Sequence, residues 1–120
     1  MSFHVVATVN ADKFNGMISI KLNKEICLRG DWEVALIDSN LSLKNDESFF
    51  VFCDLVNYSY YNENCVQLLG VCKIKIEKFY MRLIKKRFST INMEIKKDLH
   101  NDTIPTILDN SYFILHFRKL

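Results

Sequence analysis

Apolar and polar residues alternate with a period of two along most of the chain. Ile18, Ile20 and Leu22 alternate with Met17, Ser19, Lys21 and Asn23. Ile91, Met93 and Ile95 alternate with Thr90, Asn92 and Glu94, and Phe113, Leu115 and Phe117 with Tyr112, Ile114, His116 and Arg118. Successive side chains of a strand point to opposite faces, so each pattern predicts a strand with one face in a core. Val66, Leu68, Cys72, Ile74 and Ile76 share one parity against Gln67, Lys73 and Lys75. Residues 3–9 and 48–53 are apolar at nearly every position, which predicts strands buried on both faces or packed against a partner.

Turn-prone clusters separate these runs: Asn10-Ala11-Asp12, Asn23-Lys24, Arg29-Gly30-Asp31, Lys44-Asn45-Asp46-Glu47, Asn62-Glu63-Asn64 and Asn101-Asp102. Pro105 stands where no central strand is required. One segment, KIEKFYMRLIKKRF at 75–88, carries Ile76, Phe79 and Leu83 at helical spacing. It reads equally as a strand followed by a basic turn, and we take 79–84 as extended. Short strands at intervals of roughly 8–15 residues predict an all-β sandwich or barrel. No repeat, low-complexity tract or linker divides the chain, so residues 1–120 are read as a single domain.

Composition agrees with a globular fold. Hydrophobic residues make up 49% and charged residues 25%, and nine Phe, five Tyr and one Trp supply bulk for a core. The net charge of +2 offers no argument for nucleic acid. No window reaches the ~18 consecutive apolar residues of a membrane span. The start, MSFHVVATVNADK, has no basic region followed by a long apolar stretch, so synthesis in the cytosol or nucleus, outside the secretory pathway, is expected. Cys27, Cys53, Cys65 and Cys72 form no C-x-x-C pair and read as reduced, buried thiols, with a disulfide or intersubunit bridge as the alternative.

Candidate chemistry is sparse. His4, His100 and His116 are far apart in sequence, the glycines (Gly16, Gly30, Gly70) make no phosphate loop, and no His/Cys/Asp cluster has metal spacing. Asp38 and Asp54 read as solvated or capping carboxylates. We therefore expect no catalysis, no cofactor and no metal. Lys85, Lys86 and Arg87, flanked by Tyr80 and Phe88, are the candidate contact for an anionic partner or nucleic acid, against a solvated basic face. Arg29-Gly30-Asp31 spells an integrin-ligand tripeptide, but Gly30 equally permits a positive-φ turn that leads into a core strand bearing Trp32, Val34 and Leu36 on one face. Phe49, Phe50 and Phe52, on a strand apolar on both faces, and Tyr58, Tyr60 and Tyr61, in an otherwise polar loop, are the candidate interface residues.

Several segments in order resemble a known family. They are "ICLRGDWEVALIDSNL", "FFVFCDLV", "VQLLGVCKI", "FYMRLIKKRFSTINMEIKKDLHNDTIP" and the closing "YFILHFRKL". Together they resemble capsid-associated proteins, penton-like or minor capsid, of Maverick/Polinton elements and related DNA viruses, in a shortened form. The matching positions are Gly30, Trp32, Glu33, Val34, Ala35 and Leu36; Cys53, Asp54, Leu55 and Val56; Leu68 and Leu69; and Phe88, Ile91, Ile95, Leu115, His116, Phe117 and Arg118. The chain departs from the family in its short middle, where "SNLSLKNDES" stands in place of an aromatic-Pro element.

The resemblance implies a single jelly-roll-like β-sandwich of about eight antiparallel strands. It implies a virion structural protein, whether penton-like, minor capsid or decoration, located in the virion. Such a protein assembles as a homo-oligomer, trimer or pentamer, and contacts another capsid protein. The alternative on the same fold is an attachment module for a host receptor or glycan, which predicts a concave, Tyr-lined surface near residues 57–64 or an exposed Arg29-Gly30-Asp31.

Overall fold

The computed structural model describes residues 1–8, 13–14, 17–40, 48–61, 63–73, 75–96 and 111–120. It contains β1 (Ser2–Thr8), β2 (Lys13–Phe14), β3 (Met17–Cys27), β4 (Trp32–Ser39), β5 (Phe49–Cys53), β6 (Ser59–Tyr61), β7 (Asn64–Val66), β8 (Leu68–Cys72), β9 (Met81–Arg82), β10 (Arg87–Lys96) and β11 (Tyr112–Lys119). There is no helix among the described residues: 75–88 holds β9 and the start of β10, with bends at Lys75 and Ile84. The fold is all-β. A four-stranded sheet has the order β1-β11-β4-β9, a five-stranded sheet the order β2-β3-β10-β5-β8, and β6-β7 form a separate hairpin. The named pairings are antiparallel throughout.

The two large sheets share one core, a sandwich arrangement in which each inner face obeys the period-two pattern. Phe113, Leu115 and Phe117 of β11, Val34 and Leu36 of β4, Ile91, Met93 and Ile95 of β10, and Phe49, Val51 and Cys53 of β5 are all buried. Phe117 stacks on Phe3 at 4.9 Å between ring centroids and meets Phe88 of the opposite sheet at 6.0 Å. Trp32 packs against Phe3 at 5.6 Å, and its indole N–H donates to the Arg29 carbonyl at 2.9 Å. Burial of a side chain the size of Phe117 is worth a few kcal/mol, about 1.5–3 by transfer alone.

Several expectations change in the folded chain. Residues 3–8 are not buried on both faces. β1 is a sheet edge whose outward residues His4, Val6 and Thr8 are exposed, Val6 by 59%, because among the described residues no further sheet covers that face. Asn23-Lys24 is not a turn. β3 runs through it, and the surplus residues are taken up by a register shift opposite Phe88 and Thr90. The alternation from Val66 breaks at a bulge: Val51 pairs with Gly70 but Phe52 with Leu68, so Leu69 turns into the core while Leu68 is only half-buried. Gly70 then lies against Leu36 of the other sheet, where an added Cβ would come to 3.3 Å of the Leu36 Cβ.

Gly30 adopts φ +86°, as its turn requires. The turn leads into β4 as an arch between the two sheets, because β3 and β4 lie in different ones. The turn clusters at 10–12, 44–47 and 101–102, together with His100 and Pro105, lie outside the described residues.

Candidate functional site

The outer face of the five-stranded sheet carries an open groove of about 470 Å³. β5 and β10 form its floor. The β6–β7 hairpin stands along one side, because Cys53 N–H bonds the Gln67 carbonyl (3.0 Å) and ties the strand after the hairpin to the end of β5. Phe52, Tyr58 and Met17 give it apolar surface, and Asn64, Gln67 and Asn92 give it carboxamides. Asp54 and Glu94 also line it but have partners. Asp54 accepts from Asn92 N–H (3.1 Å), Asn92 Nδ2 (3.0 Å) and Lys85 Nζ (3.1 Å), and Glu94 pairs with Lys96 at 2.8 Å. Gln67 Nε2 donates to the carbonyls of Asp54 (3.3 Å) and Val56 (2.9 Å). With its charges paired, the groove suits a neutral, hydrogen-bonding ligand that has an apolar face.

The interface candidates separate. Phe49 is a core residue at 4% exposure and not a surface contact, because the parity of β5 points it inward with Val51 and Cys53. Phe50 and Phe52 lie on the opposite, outer face with ring centroids 6.5 Å apart. Tyr58 is 57% exposed and borders the groove, and Tyr60 is 78% exposed on the hairpin. The side chain of Tyr61 lies outside the described residues.

The basic segment is matched charge for charge. Lys85 pairs with Asp54 at 3.1 Å, Lys86 with Asp31 at 3.6 Å and Arg87 with Glu25 at 2.7 Å. The Arg87 hydrogen bond, followed by a weaker one from Cys27, holds the Glu25 carboxyl below the usual carboxylate range. These acids lie far away in sequence, so no reading of 85–87 alone reveals them. Asp31 of the Arg-Gly-Asp tripeptide is thereby engaged, although Arg29, Gly30 and Asp31 are all exposed.

One cluster escaped the sequence reading. His4 and His116 face each other across β1 and β11 and stack at 4.6 Å. The Tyr80 hydroxyl bonds His116 Nδ1 at 2.7 Å, and the Arg118 guanidinium lies 3.4 Å over the Tyr80 ring while its Nε bonds Glu33. Desolvation first, then the charges of His4, Arg118 and Lys78, lower the His116 pKa below its ordinary value. The only local signal was that His116 and Arg118 share a parity with Glu33 and Ala35 on the neighbouring strand, which requires knowing the neighbour.

Of the cysteines, Cys53 and Cys72 are buried as expected, but Cys27 and Cys65 are exposed, on β3 and β7. All four are free thiols. Burial pushes the Cys53 and Cys72 thiols up to about 12, which leaves them protonated and poorly nucleophilic. Among the described residues no group of three His, Cys, Asp or Glu side chains is placed to hold a metal ion, and no helix is long and apolar enough to cross a membrane. No family model, curated protein or solved structure matches the chain.

Proposed function

We propose that the protein is a non-catalytic virion structural protein, a penton-like, minor capsid or decoration component, built on a single jelly roll. The observation that carries this reading is the nesting of the strands. Setting aside β2, which only caps the edge of β3, and the separate β6–β7 hairpin, eight strands remain: β1, β3, β4, β5, β8, the two-residue β9, β10 and β11. The first pairs with the last (β1 with β11), the second with the seventh (β3 with β10), the third with the sixth (β4 with β9) and the fourth with the fifth (β5 with β8).

That is one long hairpin. Rolled up, it deposits alternate pairs in the two sheets, joined where β11 meets β4 and β10 meets β5. Such a roll of two Greek keys is the architecture of capsid and lectin domains. The capsid reading is further supported by the resemblance of the Trp32-Glu33-Val34-Ala35-Leu36, Cys53-Asp54-Leu55-Val56 and Leu115-His116-Phe117-Arg118 segments to capsid-associated proteins. Contacts with neighbouring copies or another capsid protein then fall on the outer aromatic surface of Phe50, Phe52, Tyr58 and Tyr60.

Light scattering of the purified protein across concentration tests this. A discrete trimer or pentamer that persists on dilution is expected, and a monomer at every concentration overturns self-assembly as the function.

The groove favours a second reading on the same fold, a glycan-binding attachment module. Tyr58 and Phe52 provide ring faces for the apolar face of a sugar, and Asn64, with the carboxamide oxygens of Gln67 and Asn92, provides hydrogen-bonding groups for its hydroxyls. A glycan panel tests it: binding lost in Tyr58→Ala supports the module, and no binding at millimolar sugar removes it.

A further inference from the structure

The two large sheets end in four edges of unequal character. β2 and β9 are two residues long and leave most of β3 and β4 without a described strand on that side, but those stretches carry Lys21, Lys24, Glu25 and Asp38, and β8 is five residues long and followed by Lys73. β1 differs from all three. It is seven residues long, SFHVVAT, without charge or proline, and it pairs with β11 in unbroken register. Among the described residues no strand pairs with its other side. Proteins ordinarily blunt such edges with charges, prolines, bulges or short length. β1 has none of these features.

The hydrogen-bond phase says which groups are unused. Lys119 N–H donates to the Met1 carbonyl at 3.0 Å, and the register sets Ser2 opposite Arg118 and Phe3 opposite Phe117. Reciprocal pairs therefore fall on the odd-numbered residues of β1, because such pairs alternate along an antiparallel ladder. The N–H and C=O groups of Ser2, His4, Val6 and Thr8 then point away from β11, along the free edge. On the inner face Phe3 and Val5 are only half-buried, although both pack against the core. Among the described residues, one copy of the chain thus leaves a row of backbone groups without a strand partner and an apolar rim partly open.

We propose that this edge docks antiparallel against β1 of a second copy, joining two four-stranded sheets into one continuous sheet about a two-fold axis. The strand complements itself. It holds no Asp, Glu, Lys or Arg, and the two-fold register sets each His4 opposite Val6 rather than the other His4, so two copies set no like charges directly opposite. A two-fold through Val5 sets Ser2 opposite Thr8 and His4 opposite Val6 of the second copy, so the outward backbone groups bond one another. The same register sets Phe3 opposite Ala7 of the second copy on the inner face, a large side chain against a small one, and covers the open rim. The inference rests on the self-association in the reading above but not on its symmetry: the edge contact is isologous, and a ring uses other surfaces.

Sedimentation equilibrium from about 10 to 500 µM, where a contact smaller than the ~1,600 Å² of a standard interface associates, tests the edge. The wild-type chain is expected to double its mass, or to link its rings in pairs. Two variants read the edge specifically. Val6→Pro removes an N–H that β11 does not use, and Val6→Lys places a charge on the edge while leaving every backbone group in place, so it serves where the proline variant fails to fold. Each is expected to weaken the pairwise step at least tenfold. A third variant reads the register: Val5→Cys, with Cys27→Ser and Cys65→Ser, is expected to form a symmetric disulfide on mild oxidation.

A wild-type chain that shows no pairwise step overturns the proposal. Pairing unaltered by both Val6 variants overturns the edge while leaving self-association in place. Failure of Val5→Cys to cross-link overturns the two-fold through Val5.

Discussion

Asp54 offers a quantitative test of what holds the groove and the basic segment in place. Its carboxylate joins three parts of the chain: it accepts from the Asn92 backbone N–H and side-chain amide on β10 and from Lys85 in the loop after β9, while Asp54 itself follows β5. Its side chain is 22% exposed and that of Lys85 is 53% exposed. A hydrogen bond to a charged group contributes about 1.5–3 kcal/mol when buried, and partial solvation reduces that here. An exposed ion pair contributes about 0.2–1 kcal/mol.

Asp54→Ala removes all three interactions and leaves the Asn92 N–H to water, so a loss of about 2–3 kcal/mol is expected. Asp54→Asn keeps an acceptor for that N–H but not the charge, and about 1–1.5 kcal/mol is expected. Lys85→Ala removes only the exposed pair, for at most about 0.5 kcal/mol. Urea unfolding followed by the fluorescence of Trp32, the single tryptophan and a core residue, reports all three. The ordering Ala, Asn, then Lys85→Ala is the prediction. A Lys85→Ala loss equal to that of Asp54→Ala, or an Asp54→Ala loss under about 0.5 kcal/mol, refutes a backbone clamp as the role of Asp54.

Three further outcomes follow from the core, the histidine cluster and the cysteines. Phe117→Ala opens a cavity beside Phe3 and Phe88 and is expected to cost about 3–5 kcal/mol, or to prevent folding, as read by the same unfolding assay. His116 has a folded pKa below its ordinary 6.5, so its contribution is present above pH 6.5 and is lost as pH falls through the folded value. The urea midpoint is therefore expected to drop between pH 7.5 and 5, less so in His116→Gln, and an NMR titration placing His116 above 6.5 refutes this. Thiol labelling under native conditions is expected to modify Cys27 and Cys65 quickly and Cys53 and Cys72 only on unfolding; rapid labelling of all four contradicts the buried positions.

The strands of the core were legible because alternation is local. Ile91, Met93 and Ile95, or Phe113, Leu115 and Phe117, face one way in any extended conformation. Alternation failed as a guide where a neighbour altered the count. Leu69 turns inward only because β5 pairs across a bulge, and Asn23-Lys24 stays within β3 only because β3 carries its extra residues as an irregularity against β10. Phe49 shows a related limit: an all-apolar strand does not announce which face meets the core, and Phe49 lies inward while Phe50 and Phe52 lie outward. The tyrosines beside the groove were found by their polar surroundings. The carboxamides Gln67 and Asn92 were not, since each is ordinary until the hairpin and β10 bring them together.

The residues by themselves determined an all-β chain with a sufficient core, a glycine at the positive-φ turn before Trp32, and which side chains of the regular strands are apolar on one face. These follow from covalent geometry and the period of an extended chain. Tertiary structure alone decided which strands are neighbours. With that it decided the nested pairing of first with last, the stacking of His4 on His116, the neutralisation of Lys85, Lys86 and Arg87 by distant acids, and the choice of β1 as the long uncharged edge. Each of these joins residues remote in sequence, and the free energy that selects them is spread over the whole set of pairings rather than carried by any one segment.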